Sequence, residues 1–374
     1  MPETTGKTPA EPPPPAQAEA PVAKPELVKE IKLPTAVLGL AADAAGKKLY
    51  AACFDCSLYE VNPESGEAKT FGQHESFASG IALAPRHSLL ISAGYDGVLQ
   101  WHDLTRKRPV KKVLAHKFWS WRMAVSPDEK YVASVTGQYL AGGYDYEPLA
   151  EREPSVKLFN ARTGKIVHQL SHLPPVLSLA FSPDSKHVAA GNLMGDVHVW
   201  EVKSGKQVAK WNTPDFTCWG IIKSHHYVGG IYAMTFSPDG NGLIVGGMGA
   251  MRDPMSGNGK QTWQWFSWKD QPARKVASIH DGEHGNGLME TVAFHPSGRY
   301  FILAGLMVQG KWNAGFFDAK TGSLLHSLDT KQRITKVLFS PDGKTLYLAG
   351  AIGQEPLKDG SRPQFGRISI YKCA

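Results

Sequence analysis

The chain repeats one phrase, and no other feature limits its fold as tightly. Leu179-Ala180-Phe181-Ser182-Pro183-Asp184 returns as Ala124-Val125-Ser126-Pro127-Asp128, Thr235-Phe236-Ser237-Pro238-Asp239, Ala293-Phe294-His295-Pro296-Ser297 and Leu338-Phe339-Ser340-Pro341-Asp342. Two weaker copies precede these: Ala82-Leu83-Ala84-Pro85-Arg86, and Leu40-Ala41-Ala42-Asp43-Ala44, where an alanine holds the proline position. Each copy sets alternating apolar residues before a Pro-Asp-Gly-type turn, and a second apolar run such as His187-Val188-Ala189-Ala190 follows. Alternation, tight turn and alternation describe two antiparallel strands joined by a hairpin. Seven copies make the chain a repeat protein, so its 374 residues need not divide into average-sized domains.

The spacing supplies two further strands per unit. From the proline position to the residue closing the third strand is 17 residues in units one (Ala44 to Val61), two (Pro85 to His102) and four (Pro183 to Trp200). Units three, five, six and seven keep that frame with insertions of 15, 11, 4 and 13 residues. A short turn follows the third strand, as in Arg162-Thr163-Gly164-Lys165 or Lys203-Ser204-Gly205-Lys206, and then a fourth strand such as Ile166-Val167-His168-Gln169-Leu170. Abundant glycine (38) and proline (26), with little helical periodicity, agree with an all-β chain rich in turns.

Four short strands per unit of about 40 residues resembles the WD40-repeat β-propellers. The resemblance covers residues 26–374 and implies a seven-bladed propeller of four-stranded antiparallel blades. The family's Gly-His element is half kept: His74, His116 and His172 lie 11 residues before their prolines, and His284 lies 12 before Pro296. Its Trp-Asp element survives with tryptophan only as Trp200-Glu201; His102-Asp103, Phe159-Asn160 and Phe317-Asp318 are weakened copies. The His-Ser-Asp-Trp set is therefore incomplete in every blade, and packing of the inner strands has to carry the stability.

The last unit ends just after its third strand, while Val28-Lys29-Glu30-Ile31 precedes the first unit at the spacing of a fourth strand. The N-terminal strand is thus expected to complete the last blade and cover its open edge. Residues 1–25, Pro/Ala/Glu-rich and including Pro12-Pro13-Pro14-Pro15, are expected to be a disordered leader.

The resemblance implies an interaction scaffold, and the insertions indicate where it acts. Second-to-third-strand connections and blade-to-blade connections share one end of a propeller. All the insertions fall there: 136–154, 247–260, 306–313, 351–365 and the long connection 212–229. Loops raised on a rigid scaffold are the usual seat of binding. Their Tyr, Trp, Arg and His side chains give the candidate partner-binding set: Trp119, Arg122, Tyr139, Tyr144, Tyr146, Trp219, His225, His226, Arg252 and Trp312. The competing reading of Trp119 and Trp121 is that they are wedged between blades.

The alternative to a scaffold is an enzyme or small-ligand binder that uses the axial pocket on the same face. His280-Asp281-Gly282-Glu283-His284 is the densest ligand cluster, which makes His280, Asp281, Glu283 and His284 weak metal candidates. His284 also falls near the structural histidine position, and neither HExxH nor EF-hand spacing is present. Cys53-Phe54-Asp55-Cys56 lacks the second pair a zinc site needs, and the four cysteines make no disulfide framework. Gly-x-Ser-x-Gly and P-loop patterns are absent. Binding rather than catalysis is expected, with a protein partner and no cofactor. The net charge of +7 is spread out, with no run dense enough for a nucleic-acid arm. No apolar run spans a bilayer and no signal peptide is visible, so neither a membrane nor a nucleic-acid partner is expected. A monomeric propeller in the cytoplasm is the default.

Overall fold

A computed structural model describes residues 22–138, 141–142, 147–219, 227–248, 261–281, 287–306, 312–353 and 364–373. It is an all-β propeller of seven antiparallel blades. The inner strands, in chain order, are Val37–Ala42, Ala78–Ala84, Ser120–Val125, Val176–Phe181, Tyr227–Phe236, Met289–Phe294 and Arg333–Phe339. Each packs against the inner strands of the blades before and after it, and the seventh packs against the first, so the ring is closed.

The core consists of seven apolar clusters, one at each blade-to-blade boundary. Ile31, Leu33, Val37, Leu49 and Ile368 fill the boundary between blades seven and one, and Ala189, Val199, Ile231, Phe236 and Phe266 fill that between four and five. A blade by itself would leave both faces bare, which is why the fold needs the complete ring.

The repeated phrase has a local physical basis. In Ser126, Ser182, Ser237 and Ser340 the hydroxyl donates to the aspartate two residues on, over 2.5–2.7 Å. The same oxygen accepts from the backbone N–H five residues on, over 2.8–3.0 Å. One side chain thereby closes the hairpin and orients the carboxylate, which caps the N–H groups inside the turn. Residues at the degenerate Trp-Asp element act similarly at the next turn. Asp103, Asn160 and Asp318 each accept from the N–H groups two and three residues on. Blade two keeps most of the family's polar set: His74 bonds Asp96 at 3.0 Å and Ser92 at 2.9 Å, with His102 at the tryptophan position.

The N-terminal strand closes the ring as expected. Glu26–Leu33 pairs antiparallel with Gly366–Lys372, from Glu26 opposite Lys372 to Leu33 opposite Gly366. Ordered packing begins before residue 26: the Val22 carbonyl accepts from His326 Nε2 at 2.6 Å, and Pro25 is buried. Residues 1–21 of the expected leader lie outside the described residues. In the connection 212–229, expected to be a loop, Thr217–Trp219 forms a short strand on Tyr227–Gly229 and gives blade five a fifth strand. A further hairpin, Ala141–Gly142 on Glu147–Pro148, rises from blade three.

Candidate functional site at the loop-rich mouth

Every inner strand is bulged at the same place, six residues before its proline position and towards the loop-rich end. The pairing register slips between Val37 and Gly39, Ala78 and Gly80, Ser120 and Arg122, Val176 and Ser178, Ile231 and Ala233, Met289 and Thr291, and Ile334 and Lys336. A bulge bends its strand and re-aims the side chains beside it. Seven at one level form a collar around the axis, latched in part by hydroxyls. Ser79 donates to the Ser120 carbonyl and Thr335 to the Val37 carbonyl, each over 2.5 Å and each across a blade boundary.

Above the collar on blades one to three, aromatic rings form a row. Phe54 stacks on Phe77 at 3.8 Å between centroids, Phe77 tilts against Tyr95 at 5.7 Å, and Tyr95 stacks on Trp119 at 4.6 Å and 8°. Phe118 lies against Trp119 at 4.6 Å, and Trp121 stacks on Tyr95 at 5.5 Å. The repeat explains the alignment. Phe54 and Tyr95 each follow a second strand, and Phe77 and Trp119 each precede a first strand. Backbone bonds fix these positions: Phe54 N–H donates to the Ala36 carbonyl, and Tyr95 N–H to that of Phe77. Neighbouring blades therefore bring equivalent positions face to face. Phe54 and Trp119 remain 41% and 39% exposed, which is unusual for rings of this size.

On the other side of the axis the groups are charged. Arg333 Nε and a terminal nitrogen donate to the two Glu290 oxygens at 2.6 and 3.1 Å, a bidentate pair. Arg122, Ser178, Tyr232, Glu290, Thr335 and Lys336 line a cavity of about 100 Å³ at the collar. Burial, with the Glu290 charge adding to it, pushes the Tyr232 hydroxyl up to about 12. Burial likewise pushes Tyr95 up to about 12, with Arg122 pulling the other way.

The sequence-derived candidates divide into three groups. Arg122 lies at the axial cavity and Trp119 in the aromatic row. Trp121 is half-buried against Gly137 and Tyr95, so the wedge reading describes it, while Trp119 beside it is exposed. Trp312 is 4% exposed and packs edge-on against Phe317 at 5.9 Å; its indole belongs to the boundary of blades five and six and presents no surface to a partner. Trp219 has a described backbone position in the short strand of blade five. Tyr139, Tyr144, Tyr146, His225, His226 and Arg252 lie outside the described residues, as do Glu283 and His284. His280 and Asp281 end the fourth strand of blade five. No group of three metal-ligating side chains occurs among the described residues. Cys53 and Cys56 are free thiols across a tight turn, with burial raising both pKa values.

Phe54, Phe77 and Tyr95 were missed, yet the sequence carried a signal for them. Ala52-Cys53-Phe54-Asp55 and Ala93-Gly94-Tyr95-Asp96 occupy the same frame in successive repeats.

Comparison with known proteins gives concordant results. A family model described as "WD domain, G-beta repeat" matches residues 164–201, the stretch that holds His172, the Ser182-Pro183-Asp184 turn and Trp200. The human U3 small nucleolar RNA-associated protein 4 homolog is 28% identical over 198 residues, covering 52% of this chain and 26% of that protein. Small ribosomal subunit protein RACK1 of Candida albicans is 30% identical over 148 residues, 40% of this chain and 42% of the relative. THO complex subunit 3 of Arabidopsis thaliana is 22% identical over 234 residues, 55% of this chain and 68% of the relative. The chain thus spans less than half the length of the first two.

Proposed function

Because this chain belongs to the WD40-repeat β-propeller family, we propose that it is an interaction scaffold that grips a protein partner with its loop-rich face. The observation that carries this reading is the aromatic row Phe54–Phe77–Tyr95–Trp119, stacked across three blades and open to solvent at both ends. Rings held rigid in the free protein lose little entropy on binding, and each buries a large apolar area when covered. Two of the relatives' names point the same way, one a ribosomal subunit protein and one a complex subunit, while a third is called RNA-associated, which is why the test below includes RNA.

The test is affinity capture with the wild-type chain, a Phe54→Ala/Trp119→Ala double variant, and a chain shortened at 138–154 and 250–260. Loss of the same partner from both altered proteins, with melting temperature preserved, is the expected result. An unchanged partner set would sink the proposal. A labelled-RNA titration run alongside distinguishes a nucleic-acid partner: tight RNA binding that the double variant abolishes would replace the protein partner with RNA.

A further inference from the structure

The axial cavity has an unbalanced charge. Among the described residues its one carboxylate, Glu290, is already held by both forks of Arg333. Arg122 from blade three and Lys336 from blade seven also line it, and among the described residues neither has a carboxylate within ion-pair distance. Lys336 is enclosed by the ring and only partly exposed, as befits a side chain that lines an axial cavity. Burial, with the Arg122 charge added, lowers its ammonium to about 8. Two enclosed cations that raise each other's cost would be relieved by one anion placed between them.

From these features we infer that the cavity is a carboxylate site, in which Arg122 and Lys336 receive an aspartate or glutamate side chain of the protein partner. The inference rests on the scaffold reading and gives that partner a chemistry. Size supports it. About 100 Å³ holds roughly three waters, at about 30 Å³ each, which is room for one carboxylate head and a bridging water. A nucleic-acid backbone would instead need a stripe of cations across an open surface, and here both cations sit inside the collar. Continuity supports it as well. Tyr95, at the centre of the aromatic row, lies within the fields of Arg122, Glu290, Arg333 and Tyr232. An acidic side chain flanked by apolar ones would therefore meet the row and the cavity together.

The experiment is calorimetric titration of the full chain with glutarate at low salt, with inorganic phosphate and chloride at matched ionic strength in parallel. Saturable one-to-one binding of glutarate is expected, at least tenfold weaker in Lys336→Met and in Arg122→Gln and unchanged in Lys206→Ala, a lysine exposed at the far end of the ring. A readout on the wild type alone covers the case in which a variant fails to fold. The other titratable and charged groups lining the cavity with Lys336 are Arg122, Tyr232 and Glu290, the last paired with Arg333. Burial and the Arg122 charge bring the Lys336 ammonium down to about 8, while burial holds the Tyr232 hydroxyl up at about 12, so glutarate affinity should fall as the pH passes about 8. Chloride equal to glutarate, phosphate preferred to it, or variants that bind like wild type would each overturn the assignment. If shortening the loops abolishes partner capture while glutarate does not bind, the scaffold reading stands and the carboxylate site falls.

Discussion

The two ends of the ring obey different rules. At the closed end the same hydrogen bonds recur from blade to blade: a serine hydroxyl to an aspartate, and an Asp or Asn to two N–H groups. At the loop-rich end the backbone recurs, with a bulge in every inner strand, but the side chains do not. Blades one to three carry rings there, while Glu290, Arg333 and Lys336 come from blades six and seven. Repetition in side chains serves the fold. A repeated backbone with unrepeated side chains is what a recognition surface requires, because the positions are held while the chemistry is free to vary.

Four perturbations would break or sharpen this contrast, and they run from the largest expected effect to the smallest. Removing Glu26–Leu33 should abolish both ends at once, since it strips blade seven of its outer strand and the core of Ile31 and Leu33, 2% and 0% exposed. At about 1.5–3 kcal/mol for each buried aliphatic side chain, with a bare strand edge in addition, loss of cooperative melting and aggregation are expected. Light scattering and calorimetry would show it, and a truncated chain that melts like the full one would contradict the closure.

Acid should act on the body of the ring between its ends. Burial depresses His102 and His116 to about 4 and His172 to about 3, the charges of His74, Lys157 and His198 respectively adding to it. Free histidine titrates near 6.5, so below that pH the unfolded chain takes up protons that the folded chain refuses. Stability should fall as the pH drops from about 6.5 towards 4. Each such histidine contributes about 1.4 kcal/mol per pH unit in that window. Urea midpoints at pH 7 and pH 5 measure this, and equal midpoints would rule it out.

The last two tests address the ends separately. Ser182→Ala removes the hydroxyl that closes its hairpin and should cost about 1–3 kcal/mol of stability with no effect on partner capture. Trp119→Ala should do the reverse, with less than about 1 kcal/mol of stability lost and a partner affinity at least tenfold lower, the signature of a binding hot spot. Were both variants to change both properties, the division between the ends would be wrong.

The same division accounts for what the sequence made legible. The Ser-Pro-Asp turns bond over two and five residues, so their chemistry is written in adjacent letters. The closing strand was legible through a constant spacing. The aromatic row was not, because each of its stacks joins residues of different repeats or on either side of a hairpin, and only superposing the repeats aligns Phe54 with Tyr95. The axial cavity was harder still. It depends on where the bulges fall, and residues as different as Leu38, Trp121 and Glu290 occupy the bulge. Arg122 was found for its residue type, and Lys336 was overlooked as one lysine among many. Trp312 misled because a tryptophan next to an insertion reads as loop, whereas its ring turns back onto Phe317.

The closing strand also has a consequence in time. Ser369 donates to Glu30 across 339 residues of chain. At a synthesis rate of about 5–20 residues per second, Glu26–Leu33 would leave the ribosome roughly 20–70 s before its partner strand exists. For that interval the nascent protein is an arc of blades with a sticky strand at its leading edge. A ribosome that stalls within the last blade would leave a ring with six blades built and still unable to shut.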